Sequence, residues 1–172
     1  DLGCGPGNIT LRLAGLFPKA RIIGNDGAGS MLAVARERAQ QQQLDISFLC
    51  QTLQEVLRGA LLGQADLIVS NSLLHHLHQP DLLWMVTRDL AAPGCRTLHR
   101  DLRRPASDAE IQQLLLKHLP SAPEVLLQDF SASLAAAFEP QEVTAELRRL
   151  DLNKLTVSAE DDRYLVVSGL VD

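Results

Sequence analysis

Aromatic side chains and basic charge are both scarce in this sequence. Phe, Trp and Tyr make up 3% of the 172 residues, and 16 Lys and Arg residues are outnumbered by 21 Asp and Glu residues, for a net charge of −5 at pH 7. A nucleic-acid-binding groove usually combines a basic face with aromatic stacking platforms. We therefore expect a small-molecule substrate and no nucleic acid, while the oligomeric state stays unknown from sequence.

Cysteine and long apolar runs are also rare. Cys4, Cys50 and Cys95 lie far apart and form no C-x-x-C pair, which predicts no zinc site and no disulfide framework, and is typical of reduced thiols in a cytoplasmic protein. No uncharged apolar run approaches the ~18 residues of a membrane helix, so we expect no membrane span. With 46% hydrophobic and 22% charged residues, the composition predicts one globular domain over residues 1–172.

Apolar residues alternate between strand-like runs and helix-like stripes. The strand-like runs are residues 20–26, 45–50, 65–70 and 96–102. Between them, apolar residues recur at helical spacing, as Ile9, Leu13 and Leu16 do before the first run. This alternation predicts βαβ units and a mainly parallel sheet.

The pattern changes after residue 102. Ser107 and Glu110 have the spacing of a capping box and predict a helix over residues 107–118. Residues 120–138 are less regular, and Pro140 is typical of the first turn of a helix that ends near residue 150. Two final strand candidates, 154–158 and 164–170, are separated by a short acidic turn, so they must form an antiparallel hairpin.

The first seven residues, Asp1-Leu-Gly-Cys-Gly-Pro-Gly7, contain the most informative motif. Gly3, Gly5 and Gly7 lack a Cβ atom, which allows a tight turn and close approach of the backbone to a ligand. The helix that follows adds unpaired N–H groups. Spacing alone leaves both a ligand-binding loop and an ordinary glycine turn open. Asn8 stands where the dinucleotide fingerprint G-x-G-x-x-G needs its third glycine, which disfavours a nicotinamide-dependent oxidoreductase.

The D-x-G-x-G-x-G pattern resembles motif I of the class I S-adenosylmethionine-dependent methyltransferases, and the resemblance continues along the chain. Asp26 stands where that family places its ribose-binding acid, and Met31 where an apolar residue packs on the adenine. Residues 66–76 resemble the segment beside the methionine end of the cofactor. The resemblance implies an α/β fold: a Rossmann-like, mainly parallel sheet with a C-terminal antiparallel hairpin and helices on both faces. Its strand order is 3-2-1-4-5-7-6, with the first strand largely missing upstream of Asp1.

The same resemblance implies S-adenosyl-L-methionine as the cofactor and methyl transfer to a small-molecule acceptor by direct displacement. The similarity is greatest to the small-molecule enzymes of ubiquinone and menaquinone biosynthesis. The implied cofactor-binding residues are Asp1, Gly3, Gly5, Gly7, Asp26, Gly27, Met31, Thr52, Leu53 and Asn71. Thr52 departs from the acid that many family members have near the adenine amine, and a glycine-rich turn follows Asp26. These departures keep open an alternative, a non-catalytic binding module that retains the fold.

Three residues are candidates for proton transfer. His75 and His76 belong to an H-H-x-H cluster, and either is a candidate general base. We expect no metal there, because adjacent side chains point apart and no carboxylate or thiol completes a ligand set. Asp101 is a further candidate base or substrate contact, with solvated ion pairs at a strand exit as the alternative. Residues 103–138 occupy the place where the family commonly inserts a segment that covers the substrate.

Overall fold

The computed structural model of the protein describes residues 1–171, in which helices and strands alternate as far as β4 and are followed by three helices and two strands. The helices are α1 (Asn8–Leu16), α2 (Gly29–Gln41), α3 (Leu53–Val56), α4 (Asp81–Leu90), α5 (Asp108–His118), α6 (Glu124–Ala136) and α7 (Pro140–Arg149). The strands are β1 (Ile22–Asp26), β2 (Ile46–Cys50), β3 (Ala65–Asn71), β4 (Ala91–Leu102), β5 (Leu155–Ala159) and β6 (Tyr164–Leu170). A short 3₁₀ helix, Leu74–His76, follows β3 and is called the histidine turn below.

The strands form a mixed sheet of the predicted kind. β1 pairs with β2 and β3 pairs with β4, both in parallel, whereas β6 lies antiparallel between β4 and β5. Leu2 bridges Asn25 of β1 and Ser70 of β3, and so joins the two groups of strands. The order is therefore β2-β1-β3-β4-β6-β5, with Leu2 between β1 and β3. This order agrees with the one that the family resemblance implies, and the predicted α/β architecture is confirmed.

Helices lie on both faces of the sheet because side chains alternate along each strand. On one face, Leu2, Ile68 and Val167 join the main apolar core with residues of α3, α4 and α7. On the other face, the carboxylate of Asp1 accepts a 2.6 Å hydrogen bond from the buried Thr10 hydroxyl of α1. α1 therefore packs beside the first residues of the chain, on the side opposite the main core.

Part of the second face is not covered by any helix of the described residues. Leu67 of β3 and Leu98 of β4 are each 47% exposed there, although both belong to inner strands. β3 is therefore buried on both faces only near its carboxyl end, where Ile68, Val69 and Ser70 are buried. Within residues 1–171, none of the helices has the length and apolar character needed to cross a bilayer.

Two predicted elements differ from the structure. Residues 124–136 form the regular helix α6, because Leu127, Phe130 and Leu134 share one face at helical spacing and pack with α5. The prediction of a less regular segment was wrong there. β4 begins at residue 91 rather than 96, and its register against β3 shifts between Ala65 and Leu67. Pro93 and Gly94 lie within this irregular start, and both residue types are unfavourable inside strands. The apolar pattern therefore did not predict residues 91–95 as part of a strand.

Candidate functional site

A cavity of about 460 Å³ opens at the carboxyl ends of β1, β2 and β3. This is the edge at which parallel α/β sheets bind ligands, and the volume suits a small-molecule ligand. Its lining residues are Gly3, Asn25, Asp26, Gly27, Gln51, Thr52, Leu53, Gln54, Leu73, His76, Leu77, His78, Gln79 and Leu82. Four chain segments thus meet here: the glycine loop (residues 1–7), the end of β1, the residues after β2, and the segment that follows β3.

The glycine loop has a backbone that other residues adopt only with strain. Gly3, Gly5 and Gly7 have φ angles of +64°, +51° and +82°. A Cβ atom on Gly5 would meet no atom within 4 Å, so this side of the loop is open. A Cβ on Gly3 would lie 2.7 Å from Cδ1 of Leu73, and one on Gly7 would lie 3.1 Å from the side chain of Ala35. Gly3 therefore permits contact with the cavity wall, whereas Gly7 permits packing of α1 against α2.

Asp26 connects the glycine loop to the turn after β1. Its Oδ2 atom accepts a 2.8 Å hydrogen bond from the Gly5 N–H, and its Oδ1 atom accepts one of 2.8 Å from the Ala28 N–H. The second bond is a local turn contact, of the kind that aspartate side chains commonly make with the backbone two residues on. Each carboxylate oxygen retains further acceptor capacity, so the same carboxylate can hold the turn and accept hydroxyl groups of a ligand. Gly27 lines the cavity beside it, with open space where a Cβ would lie.

Thr52 lines the cavity and also begins α3. Its hydroxyl donates to Oε2 of Glu55 at 2.9 Å and accepts the Glu55 N–H at 3.3 Å, while the Thr52 N–H donates to the same carboxylate. This reciprocal arrangement is a capping box. The N–H and hydroxyl of Thr52 also lower the pKa of Glu55. Because the single hydrogen of the Thr52 hydroxyl is donated to Glu55, the hydroxyl can meet a purine only as an acceptor, through its second lone pair. The neighbouring Gln51 and Gln54, which the sequence reasoning missed, also line the cavity and carry side-chain amides.

Five of the implied cofactor-binding residues, Asp1, Gly5, Gly7, Met31 and Asn71, lie outside the cavity lining. Asp1 lies beneath the glycine loop, bound to Thr10. Met31 is on the outer part of α2 and is 47% exposed. The Asn71 side-chain amide donates to the hydroxyl of Ser72 at 3.0 Å. Direct cofactor contacts of all five residues stay predictions.

Asp101 is buried and holds the histidine turn. It is 2% exposed, and its Oδ2 atom accepts hydrogen bonds of 2.7 Å from both the Leu73 N–H and the Leu74 N–H. Its Oδ1 atom lies 2.6 Å from Nδ1 of His75. The alternative of a solvated ion pair therefore applies to its neighbour Arg100, which pairs with Glu160 near the surface, and not to Asp101.

The two predicted histidines are adjacent but differ in exposure. His75 is buried, whereas His76 is exposed and lines the cavity, and their ring centroids are 4.0 Å apart. Partial burial and the neighbouring His75 both lower the pKa of His76, so its ring is neutral near pH 7. Among residues 1–171, no three His, Cys, Asp or Glu side chains are grouped so as to hold a metal ion.

The sequence predicted part of the segment that follows β3. Leu73 lies in the predicted segment 66–76 and His78 in the H-H-x-H cluster, whereas Leu77, Gln79 and Leu82, which also line the cavity, were missed. The feature that could have predicted them is their position just after a parallel strand, since ligands bind beyond the carboxyl ends of such strands. Their residue types alone carry no chemical signature.

The glycine loop, the acid at the end of β1 and the cavity beside them place a ligand-sized site at the carboxyl edge of an α/β sheet. The family model described as "Methyltransferase domain" matches residues 1–94, more than half of the 172-residue chain. The chain therefore belongs to the methyltransferase domain family.

Relatives in sequence carry methyltransferase names. A trans-aconitate 2-methyltransferase of Methylobacterium nodulans is 33% identical over 141 residues, which are 80% of this chain and 47% of that protein. One of Variovorax paradoxus is 41% identical over 97 residues, 55% of this chain and 34% of the relative. A malonyl-[acyl-carrier protein] O-methyltransferase of Bacillus anthracis is 32% identical over 126 residues, 65% of this chain and 44% of that protein. The chain thus spans between about a third and half of the length of these curated relatives.

Solved structures agree with the fold. A SAM-dependent methyltransferase from Aquifex aeolicus superposes with a TM-score of 0.71 at 15% identity, over 100% of this chain and 80% of that one. The plantazolicin methyltransferase BamL, solved in complex with a triazolic desmethylPZN analog and SAH, gives a TM-score of 0.77 at 13% identity, over 99% of this chain and 75% of that one. At such low identity these similarities establish the fold alone.

Proposed function

We propose that this chain binds S-adenosyl-L-methionine and supports transfer of its methyl group to a small-molecule acceptor by direct displacement. The observation that carries the proposal is the hydrogen bond between the Gly5 N–H and Asp26, which joins an open glycine loop to an acid at the rim of the cavity. When bound, the cofactor supplies a methyl group on a sulfonium sulfur, which a nucleophile can displace.

The residues present suit this cofactor. The open space beside Gly5 and the positive φ of Gly3 leave room for the amino-acid end beside the glycine loop. Asp26 would accept the ribose hydroxyls, and the segment from Gln51 to Leu53 would face the adenine. Leu53 belongs to the apolar core as well as to the cavity lining, so core packing holds the part of the site that would face the adenine.

The chain itself would contribute mainly positioning and exclusion of water. Leu73, Leu77 and Leu82, which follow β3, give that side of the cavity an apolar surface. Direct displacement gains most from holding the two reactants in line, and few charged groups are required. The names of the sequence relatives favour this catalytic interpretation over the non-catalytic alternative.

Residues 103–138 are proposed to cover the acceptor. They contain α5 and α6, which pack together through Leu114, Leu115 and Leu134. α6 also packs against the histidine turn, at the edge of the cavity. A cover in this place would lie over the acceptor side of the site, and we expect its removal to raise the KM for the acceptor more than the Kd for the cofactor. The cytoplasmic location expected from sequence is a further proposal, and it is supported by the free thiols of Cys4, Cys50 and Cys95.

Calorimetric titration of S-adenosylhomocysteine into the chain tests the proposal, with Gly5→Val as the site variant. We expect the wild type to bind and Gly5→Val to lose binding, because the added side chain would enter the open side of the loop. Gly15→Ala is the matched control, since Gly15 lies in α1 and its Cβ would also meet no atom within 4 Å. Binding by a folded Gly5→Val variant at wild-type affinity, or no binding by the wild type, would refute the proposed site.

A further inference from the structure

Asp101 and His75 form a buried pair that the cofactor site itself does not use. Oδ1 of Asp101 and Nδ1 of His75 are 2.6 Å apart, and their side chains are 2% and 4% exposed. β4 supplies the aspartate, and the histidine turn after β3 supplies the histidine. The pair thus lies at the carboxyl ends of two adjacent parallel strands, beside the cavity.

The hydrogen bonds of Asp101 determine which nitrogen of His75 carries its proton. The carboxylate accepts N–H groups of Leu73 and Leu74 on Oδ2 and of Leu102 on Oδ1. Several N–H donors favour the ionised carboxylate, which can only accept hydrogen bonds. Nδ1 of His75 must therefore be the donor, and the lone pair of the neutral ring lies on Nε2.

Nε2 of His75 is available to a ligand. It makes no hydrogen bond within residues 1–171. In that part of the chain, the fully buried side-chain nitrogen and oxygen atoms without a partner are Nε of Arg103 and Nε of Arg163. Nε2 of His75 is not among them, so this unpaired nitrogen is not fully buried. The ring of His76, which lines the cavity, has its centroid 4.0 Å from that of His75 and is tilted by 41°. The unpaired nitrogen therefore belongs to a ring that a carboxylate holds next to a residue of the cavity lining.

The cavity has a charge pattern that favours a neutral acceptor. Its lining within the described residues contains no Lys or Arg, and its one carboxylate is that of Asp26. An acceptor with several carboxylates would therefore find no cationic side chain in this lining, and the single sulfonium charge of a bound cofactor could pair with only one of them, while burial of an unpaired charge is costly. The apolar side chains of Leu73, Leu77 and Leu82 instead suit a largely apolar molecule.

We propose that His75 is the general base of the site and that the acceptor is a neutral phenol-type hydroxyl rather than a carboxylate. This inference rests on the proposed methyl transfer. As the acceptor oxygen bonds to the methyl carbon, the carbon–sulfur bond breaks and its electron pair stays on sulfur. The hydroxyl proton moves to Nε2 of His75, Asp101 stabilises the resulting imidazolium, and the proton passes to solvent after the product leaves. A carboxylate acceptor is already ionised at neutral pH and needs no such base.

Two-bond ¹H–¹⁵N NMR of the histidine rings tests the dyad without any acceptor. In the wild type we expect the neutral ring of His75 to carry its hydrogen on Nδ1, with assignment from the spectrum of His75→Gln. In a folded Asp101→Asn variant, we expect the hydrogen of His75 to be no longer confined to Nδ1, because the carboxylate that selects this tautomer is gone. A wild-type His75 ring protonated on Nε2 would overturn the proposal.

Methyl transfer to two probes tests the acceptor class. Catechol represents a phenol and trans-aconitate a tricarboxylate, and binding of S-adenosylhomocysteine is measured in parallel for each variant. We expect transfer to catechol, lowered by about 10²- to 10⁴-fold in His75→Gln, with the Kd for S-adenosylhomocysteine changed by less than about threefold in that variant. The corresponding rate should fall much less in His76→Gln.

The other outcomes separate the two proposals. Transfer to trans-aconitate in preference to catechol, an unchanged rate in His75→Gln, or a large loss confined to His76→Gln would each overturn the role of His75. Binding of S-adenosylhomocysteine with no methylation of catechol would overturn the acceptor class. Failure of the wild type to bind S-adenosylhomocysteine would instead count against the proposed function, and the NMR measurement would still decide the protonation of the dyad.

Discussion

Asp26 has two tasks at the scale of single residues, and the structure shows the first of them. Its two oxygens hold the glycine loop through the Gly5 N–H and the following turn through the Ala28 N–H. Its second task, acceptance of the ribose hydroxyls, belongs to the proposed function. A substitution therefore removes a ligand contact and loosens the loop that faces the ligand.

We predict that Asp26→Ala weakens S-adenosylhomocysteine binding by about 1–3 kcal/mol, the range for hydrogen bonds to a charged group. Calorimetric titration measures this directly. Asp45→Ala is the control, because Asp45 is exposed and precedes β2 at the opposite edge of the sheet. Equal affinities for the wild type and Asp26→Ala would exclude a ribose-binding role.

Residues of the candidate site differ in how well the sequence predicts their positions and roles. Gly3, Asp26, Gly27, Thr52 and Leu53 were predicted from motif positions, and the structure gathers them around one cavity. The task of Asp101 was not predictable, because its partners are backbone N–H groups far away in sequence. No pattern of residue types records such contacts, since every residue except proline has an N–H group.

At the scale of elements, Thr52 connects the cavity to the short helix α3. The four residues of this helix include Leu53 and Val56, which are both buried in the main core. We predict that Thr52→Ala lowers the free energy of unfolding by about 0.5–2 kcal/mol, because the capping box is lost. Urea denaturation measures the change. Thr52→Ser is the control and should retain most of the stability, and equal losses in both variants would argue against a capping role.

β3, β4 and α4 share a buried polar network around His99. Nδ1 of His99 lies 2.7 Å from the Ser70 hydroxyl, and Nε2 lies 2.6 Å from the Thr97 hydroxyl. Thr97 donates its own hydrogen to the carbonyl of Ile68, so it must accept from Nε2. His99 is thereby satisfied as a neutral ring. Burial lowers its pKa from 6.5 to about 3, although the charge of Asp101 acts in the opposite direction.

We predict that the network makes the protein less stable in mild acid. Between pH 6.5 and about 3, the unfolded chain binds a proton at His99 that the folded chain excludes. The contribution of His99 to the free energy of unfolding is therefore fully present above pH 6.5. It decreases as the pH falls, by at most about 1.4 kcal/mol per pH unit. Urea denaturation from pH 7.5 to 5 measures the slope. His99→Gln should have a shallower slope whatever its absolute stability, and an unchanged slope would contradict this assignment.

Elements differed in how readily the sequence predicted them. The strands 22–26, 46–50 and 164–170 were predicted nearly to the residue, because short apolar runs between turns dictate them. α6 was missed because most of its apolar residues are not fully buried, and only Leu134 is. Its helical form depends on contact with α5, a tertiary effect that propensity and pattern alone do not include.

At the scale of the whole molecule, the sheet is covered unequally on its two faces. α3, α4 and α7 cover the first face over the main core, whereas Leu67, Leu98 and Leu170 are exposed on the second. The family resemblance predicted the strand order, since that order follows from connectivity. It did not predict the open area, because coverage depends on which side chains each helix reaches.

The unequal coverage predicts a large difference between two Leu→Ala substitutions in adjacent strands. Leu165 of β6 is fully buried in the main core, whereas Leu98 of β4 is 47% exposed. Leu165→Ala should cost about 2–5 kcal/mol, because it leaves a cavity in a packed core. Leu98→Ala should cost less than about 1 kcal/mol, since its methyl groups already contact water. Urea denaturation of both variants at two protein concentrations measures the difference. Similar costs, or a cost for Leu98→Ala that grows with concentration, would show that another surface covers this face in solution, because self-association adds stability by mass action.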